Sequence, residues 1–588
     1  MAVEIAGPVR QHREGPAAAG RRARRLLALA VAGAACAGLF CCYLRLSATV
    51  PGGSDGASNA LEAWDLLHGN WLLRGWTLTD VSFYTTELPE YAAVELAHGL
   101  NAGVQHVAAA LTYTLLVVTG GLLARGRARG GEGWARALIA IGVMVAPQLG
   151  EGAHVLLGQP DHVGTQVLIL GTFLLLERAP RRRYTPWAAW ALLTVATVAD
   201  KIAIVDAIVP LAFAGLLHAA WARGPAGRRF ELSLAIAAGG AVVTAGLLLT
   251  LISRAGGFTL LPVQTALAAP GGVPGHLPLA WHGILSLFGA DVTTAAPGPQ
   301  AVLACLHAPG LALALAAFAV AAWHVPSKHD FVADVLAVGI VVNLAGFVAS
   351  VIPATAFDTR EIAALLPFGA VLAGRVFGPR LARVRPPGAR LARVRPARVR
   401  RYRVRPAVVA ALAVAGACQL AALGYGAAQP AAPDPEQALA GWLAAHGLTS
   451  GLGTFTEGNL TTLDSGGAVR LRTVSWLPPV PSVRPHARLP GLRAGRASPL
   501  SAPGGAAPRL YQSSASWYDP RAQYANFVVS GTADGTADLI PQADIRALAG
   551  PPARTYQFRS FTIMVWDENL LALLGPTPSR LPGNIGHS

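Results

Sequence analysis

Residues 39–76 read LFCCYLRLSATVPGGSDGASNALEAWDLLHGNWLLRGW. An apolar run ends at Leu46, and nine residues later Asp55 opens an alternation of acids, small residues and tryptophans. The run 26–46 has the length of a membrane span, which needs about 20 apolar residues. It follows a basic cluster, RRARR, at 21–25. A cleaved signal peptide is the rival reading, but its apolar region is about 7–15 residues long, and this chain stays apolar far beyond it. The run is therefore read as an uncleaved first span, with residues 1–25 a disordered basic tail in the cytoplasm.

The composition agrees. Of 588 residues, 53% are hydrophobic and 13% charged, where a soluble chain carries about 25% charged residues. The net charge is +16, nearly all from arginine, with lysine only at Lys201 and Lys328. The arginines cluster in short segments between apolar runs without interleaved aromatics. That pattern reports membrane orientation and excludes nucleic acid as a partner. Cys36, Cys41, Cys42, Cys305 and Cys418 all lie in apolar runs, so neither a disulfide framework nor a zinc site is expected.

Candidate spans are 26–46, 105–124, 135–150, 163–177, 186–200, 202–222, 232–253, 301–323, 331–352, 361–378 and 407–427. With the N-terminus inside, alternate connections should carry the arginines. They do in ARGRARGGEGWAR, ERAPRRRYTP, WARGPAGRRFE and the segment 379–406, and only HVPSKHD is weak. The segment 379–406 repeats RLARVRP at 380–386 and 390–396 and holds eleven arginines and no acid. It reads either as a slipped duplication that strengthens the orientation signal or as a contact with anionic lipid heads. The expected fold is an all-α polytopic membrane protein of about eleven transmembrane helices over 26–427. An extracytoplasmic α+β domain follows over 428–588. Its helix begins near AAPDPEQALAGWLAAHG, its strands lie in GAVRLRTVSWL, YANFVVSG and RSFTIMVWD, and 480–510 is a loop.

The acids collect on the outside. The loop 47–104 holds Asp55, Glu62, Asp65, Asp80, Glu87, Glu90 and Glu95, with Trp64, Trp71 and Trp76. Its helical spacing suggests a helix lying in the interface with tryptophans at headgroup depth. The loop EGAHVLLGQPDHVGTQ offers Glu151, His154, Asp161 and His162. Asp200, Lys201 and Asp206 flank a span end, where Asp200 and Lys201 pair locally, and Asp358, Arg360 and Glu361 head the last outer hairpin. Ionisable groups at span edges are costly and mark function. Each has a plainer reading. Asp55 and Asp161 suit helix caps, Glu87 and Glu90 a solvated turn around Pro89, and Arg360 a charge neutralised by Asp358 or Glu361. His154 and His162, eight apart, form a metal pair only through the intervening turn.

Together these groups suit attack by an acceptor hydroxyl on a sugar held by a lipid phosphate. A carboxylate takes the proton, and a cation, either arginine or a bound divalent metal, sits on the leaving phosphate. The layout resembles the GT-C superfamily of integral-membrane glycosyltransferases. The matching features are Asp55 just after span one, an acidic second outer loop with Asp161, and Arg360 ahead of Leu366-Pro367 in the last outer hairpin. The pieces GWLAAHGLTSGLGTFTEGNLTTLDSGGAVRLRTV and VWDENLLALL are similar to actinobacterial polytopic membrane proteins of that type. Where many members have two adjacent acids in the first loop, this chain has Ser54-Asp55-Gly56. The resemblance implies transfer of a sugar from a polyprenyl-phosphate donor to a cell-envelope acceptor. Asp55, Glu87, Glu90 and Asp161 are then catalytic candidates, and Arg360, His154, His162 and Trp64 substrate-binding ones. A transporter or flippase would instead put charges in mid-span, and a polymer-binding scaffold would not need Asp55.

Overall fold

The structure, a computed structural model, describes residues 16–222, 224–262, 266–325, 330–382, 406–477, 505–531 and 540–574. Residues 1–15 of the expected tail at 1–25, most of the arginine repeat and most of the expected 480–510 loop lie outside the described residues; the rest of the tail, 16–25, is helix, and 505–508 is a strand, not loop.

Helices follow the apolar runs. Helix α1 (Pro16–Ser47) starts ten residues before the expected span and carries the basic cluster as helix. Helices α2 (Ser54–Leu67) and α3 (Glu87–His98) fill the first outer loop. Then come α4 (Gly103–Arg125), α5 (Gly130–Met144), the short α6 (Glu151–Leu157), α7 (Val163–Arg178) and α8 (Thr185–Ala199). A π-helical turn, Ile204–Ile208, runs into α9 (Val209–Trp221), followed by α10 (Pro225–Arg254), α11 (Val273–Leu287), α12 (Pro299–Trp323) and α13 (Phe331–Ala349). A 3-10 turn, Ala356–Ile362, leads into α14 (Leu365–Ala382), and α15 (Pro406–Ala427) ends the helical body. Among the described residues six helices are long and apolar enough to cross a membrane, seven if the 3-10 turn and α14, bent by 47°, count as one. Shorter helices such as α5, α7 and α8 occupy the other expected spans.

Between apolar helices in lipid there is little hydrophobic drive, so close packing depends on small residues. Gly374 and Gly378 provide it: a Cβ on either would lie 2.4 Å from Arg136, so α14 lies directly on α5. At one end of the bundle Arg375 is buried, donating to Glu177 at 2.8 Å, to Asp330 and to the Leu123 carbonyl. This cluster ties together the connections expected to lie inside. The acid-rich loops lie at the opposite end.

That end is roofed by the C-terminal region. Helices α16 (Pro435–Ala445), α17 (Phe455–Asp464) and α18 (Gln542–Ala549) accompany strands β3 (Ser450–Gly453), β4 (Arg470–Leu477), β5 (Gly505–Pro508), β7 (Phe527–Gly531), β8 (Arg554–Phe558) and β9 (Phe561–Val565). The sheet order is β5-β4-β3-β7-β9-β8, with β3 parallel to β4 and β7 and the other pairs antiparallel. Two short strands of the helical body join the roof: β1 (Trp76–Leu78) pairs with β2 (Thr259–Leu260) and with β6 (Ser513–Ser514). Helix α17 lies on α2, with Leu460 and Leu463 packed against Ala57, Ala60 and Ala63, and Asn459 donates to Ser58 at 2.6 Å.

This corrects the interface-helix expectation. Nine residues of α2 are buried. Trp76 is buried, donating to Asp65 at 2.7 Å, while Trp71 is exposed. The alternation of small and apolar residues in α2 reports a covered helix, because Ala and Gly let α17 approach closely.

Candidate functional site

Asp55 and Arg360, 305 residues apart, meet in the space under the roof: Arg360 Nη1 donates to Asp55 Oδ2 at 3.2 Å. Asp55 does not cap α2. The N-cap is Gly53, without a side-chain bond, and the free amides of Gly53 and Gly56 go instead to Gln105 Oε1 at 3.1 Å and Gln159 Oε1 at 3.0 Å. Asp358 does not neutralise Arg360 either. Its Oδ2 accepts from Ala354 N, Thr355 N and Thr355 Oγ1 and closes a capping box on the 3-10 turn. The Arg360 guanidinium lies 4.3 Å from the Phe357 ring and 3.9 Å from Glu361.

Asp161 borders this pair. It makes no cap on α7; its Oδ1 accepts from Asn59 Nδ2 at 2.8 Å. Burial pushes its carboxyl up to about 7, Asp55 adds to that, and His162, Arg360 and the Asn59 bond oppose it. Glu62, one turn along α2 from Asn59, is buried, with Oε1 unpartnered. Burial, then Asp161 and Asp55, hold its carboxyl well above the usual range.

His162 sits at φ 63°, a left-handed backbone that costs a side-chain-bearing residue of order 1–3 kcal/mol and is retained where surroundings enforce it. Its Nδ1 bonds Asp200 Oδ2 at 2.6 Å, and its Nε2 lies 3.5 Å from Glu361. Burial opposes its charge, but Asp200 and Glu361 prevail and hold it up at about 10. Asp200 is therefore the partner of His162, in place of the local pair with Lys201, which is exposed. Asp206 belongs to the same wall, accepting from Gln166 and, at 2.6 Å, from Asn343.

The remaining candidates lie apart. Glu87 Oε1 accepts from Thr165 N at 2.9 Å and from Thr165 Oγ1, so this buried carboxyl, pushed up to about 8 by burial, supports the N-terminus of α7. Glu90 accepts from Thr112 on α4; burial lifts it to about 7. Neither acid contacts the Asp55–Arg360 pair, and neither lies in a solvated turn. His154 rests on Phe357, rings 5.1 Å apart, and burial and Arg360 lower its pKa. The two ring nitrogens of His162 face Asp200 and Glu361, and His154 belongs to no three-ligand cluster among the described residues. Trp64 stacks on His68 in the last turn of α2, roughly 13 Å along the helix from Asp55. From the roof, Tyr511 stands edge-on to Phe455, with Arg509 over both rings. Asp55 and Arg360 both act electrostatically on its buried hydroxyl.

Glu95 tests the electrostatics outside the site. It is buried on α3 with both carboxyl oxygens unpartnered, and burial lifts it to about 9. A carboxyl with a raised native pKa binds more protons folded than unfolded, so stability falls as pH rises from about 4.5 towards about 9. Glu95→Gln should flatten part of that fall and gain on the order of 2 kcal/mol at pH 8. Thermal melts of both proteins at pH 5 and pH 8 check it, and an equal pH slope would refute it.

No family profile matches the chain, and no curated protein is significantly similar to it. Among solved structures it is similar to ArnT from Cupriavidus metallidurans bound to undecaprenyl phosphate. That likeness has 14% identity, covers 93% of this chain and 99% of that one, and has a TM-score of 0.49. The apo state of the same protein gives 15%, 95%, 100% and 0.49. The oligosaccharyltransferase of Archaeoglobus fulgidus gives 14% identity, 74% of this chain, 64% of that one and a TM-score of 0.42. At identities this low, the chemistry of this chain rests on its own residues.

Proposed function

We propose that the chain transfers a sugar from a polyprenyl-phosphate donor to a cell-envelope acceptor, on the membrane face that carries the C-terminal domain. The observation that carries this reading is Arg360, its side chain 11% exposed, paired to the otherwise uncommitted carboxylate of Asp55 at the head of α14. The same helix head borders an apolar cavity of about 400 Å³ lined by Ile284, Phe288, Leu311, Phe318, Leu344 and Leu365 among others. A lipid tail suits that cavity, and a phosphate suits the guanidinium carried by the turn that leads into the same helix.

In this reading Arg360 holds the donor phosphate by planar, charge-assisted hydrogen bonds. Phosphate binding releases Asp55, whose carboxylate takes the proton of the acceptor hydroxyl. The acceptor oxygen bonds to the anomeric carbon as the bond from that carbon to the phosphate oxygen breaks. The electron pair leaves on the phosphate, where Arg360 stabilises it. His162, held charged by Asp200 and Glu361, positions Glu361 beside Arg360. The roof, with Tyr511, shields the site from bulk water. A divalent metal on the same phosphate would supply further positive charge for the leaving group.

The direct test is transfer of labelled sugar from a synthetic polyprenyl-phosphate donor by the purified chain in lipid nanodiscs. Donor-dependent labelling of acceptor supports the reading; donor binding without turnover over any acceptor pool overturns it. The reading also requires the arginine-rich end to face the cytoplasm. Reporter fusions after residues 130, 225 and 390 should read cytoplasmic and one after 440 outside. A cytoplasmic signal at 440 would put the acids on the wrong side.

A further inference from the structure

A second cluster of ligating groups lies outside the Asp55–Arg360 site. Glu151 opens α6, His282 lies on α11, and Asp291 lies in the connection that follows. One ligand atom from each lies within 4.8 Å of the others. His282 Nε2 is 3.3 Å from Glu151 Oε2 and 3.3 Å from Asp291 Oδ2.

Those distances discriminate. A charge-assisted bond from imidazole to carboxylate closes to about 2.7–2.9 Å. Two other histidine–aspartate pairs among the described residues do so, at 2.6 Å for His162–Asp200 and 2.7 Å for His218–Asp334. His282 approaches neither carboxylate that closely and stands off both equally. Around a tetrahedral zinc with bonds of about 2.0–2.1 Å, ligand atoms lie about 3.3 Å apart. Both His282 spacings match that value, and the Glu151 and Asp291 oxygens lie within 4.8 Å of each other.

The surroundings fit too. Glu151 Oε1 and His282 Nδ1 are buried atoms with no partner. Asp291 is fully buried and held in place by Thr293 N at 2.8 Å, Thr293 Oγ1 at 2.6 Å and Thr294 Oγ1 at 2.9 Å. Gln148 holds the Asp291 backbone at both its N–H and its carbonyl. Such outer contacts orient metal-ligating carboxylates. Glu151 and His282 stay partly open, which leaves an entry path and a position for water. One imidazole and two carboxylates favour zinc over calcium or magnesium, which take oxygen ligands.

We propose that Glu151, His282 and Asp291 bind a divalent cation of the zinc class that braces α6 and α11. The next residue after His282, Gly283, is where α11 meets the turn bearing Arg360: a Cβ there would lie 2.6 Å from Thr359. The ion thus fixes the seat of that turn. The proposal is independent of glycosyl transfer, and its test reads no activity.

The experiment strips the purified full chain in detergent with EDTA and titrates it with Co²⁺, Zn²⁺ and Ca²⁺. The expected result is visible cobalt bands of tetrahedral intensity, displaced by zinc and not by calcium, with one zinc per chain by elemental analysis. Zinc should raise the melting temperature of the wild type. Glu151→Gln and His282→Gln, each checked for a single gel-filtration peak, should weaken zinc binding at least ~10-fold. A wild type that gives no cobalt bands and retains no zinc overturns the proposal and leaves an imidazole shared between two carboxylates. Zinc affinity unchanged in a well-folded Glu151→Gln overturns it equally.

Discussion

Asp55→Asn is expected to lower glycosyl transfer by roughly 10²-fold or more, the range general-base removal typically reaches, with expression and donor binding retained. The substitution keeps the size and the hydrogen-bonding reach of the side chain and removes its basicity. A helix-capping role would predict a loss of about 1 kcal/mol in stability with transfer intact. The geometry already argues against it, since α2 is capped without a side-chain bond and its first amides are served by Gln105 and Gln159. Asp161 is the nearest alternative base. Burial raises it to about 7 and Asn59 engages it, so near neutral pH it is only partly ionised, whereas Asp55 faces a cation. Transfer by the purified Asn variant beside a thermal melt decides the matter. Near wild-type turnover would return Asp55 to a structural role and move the search to Asp161.

What the sequence made legible follows from how local each signal is. Apolar runs are contiguous, so the expected span 163–177 became α7 at Val163–Arg178 and 301–323 became α12 at Pro299–Trp323. Strands in YANFVVSG and RSFTIMVWD are also local signals, and β7 and β9 lie in them. Helix α11 was missed because Pro274, Gly275 and Pro278 break up its apolar pattern, and packing against the 3-10 turn, not propensity, holds it. Asp55, Asp161 and Arg360 were legible as charges beside apolar runs. Their partners were not. Asn59 and Glu62 look like the polar face of a surface helix until α17, some 400 residues later, covers it. Glu87 looked like a catalytic acid, and its Oε1 serves the N-terminus of α7, 78 residues away. The ligand set Glu151–His282–Asp291 spans 140 positions and matches no spaced motif.

Arg360→Ala should raise the dissociation constant for a polyprenyl-phosphate donor roughly 100-fold, about 2.7 kcal/mol, in the range of hydrogen bonds to charged groups. Arg360→Lys should recover part of that. Lysine restores the charge but offers a single point donor in place of a planar fork matched to phosphate oxygens. The rival account makes Arg360 a structural counter-ion to Asp55 and Glu361. It predicts a different pattern: the Ala variant melts earlier because carboxylates are left without their cation, and donor affinity is kept in whatever protein remains folded. Two effects must be separated, since removing the guanidinium also removes the influence that lowers Asp161. The double variant Asp55→Asn, Arg360→Gln does so. It replaces the ion pair by a neutral hydrogen-bonding pair of similar size, so its melt should approach the wild type while donor binding stays weak. Donor binding restored in that double variant would show that charge balance, not phosphate recognition, is what Arg360 supplies. Donor binding still lost in a stable double variant assigns the phosphate to the guanidinium at the head of α14.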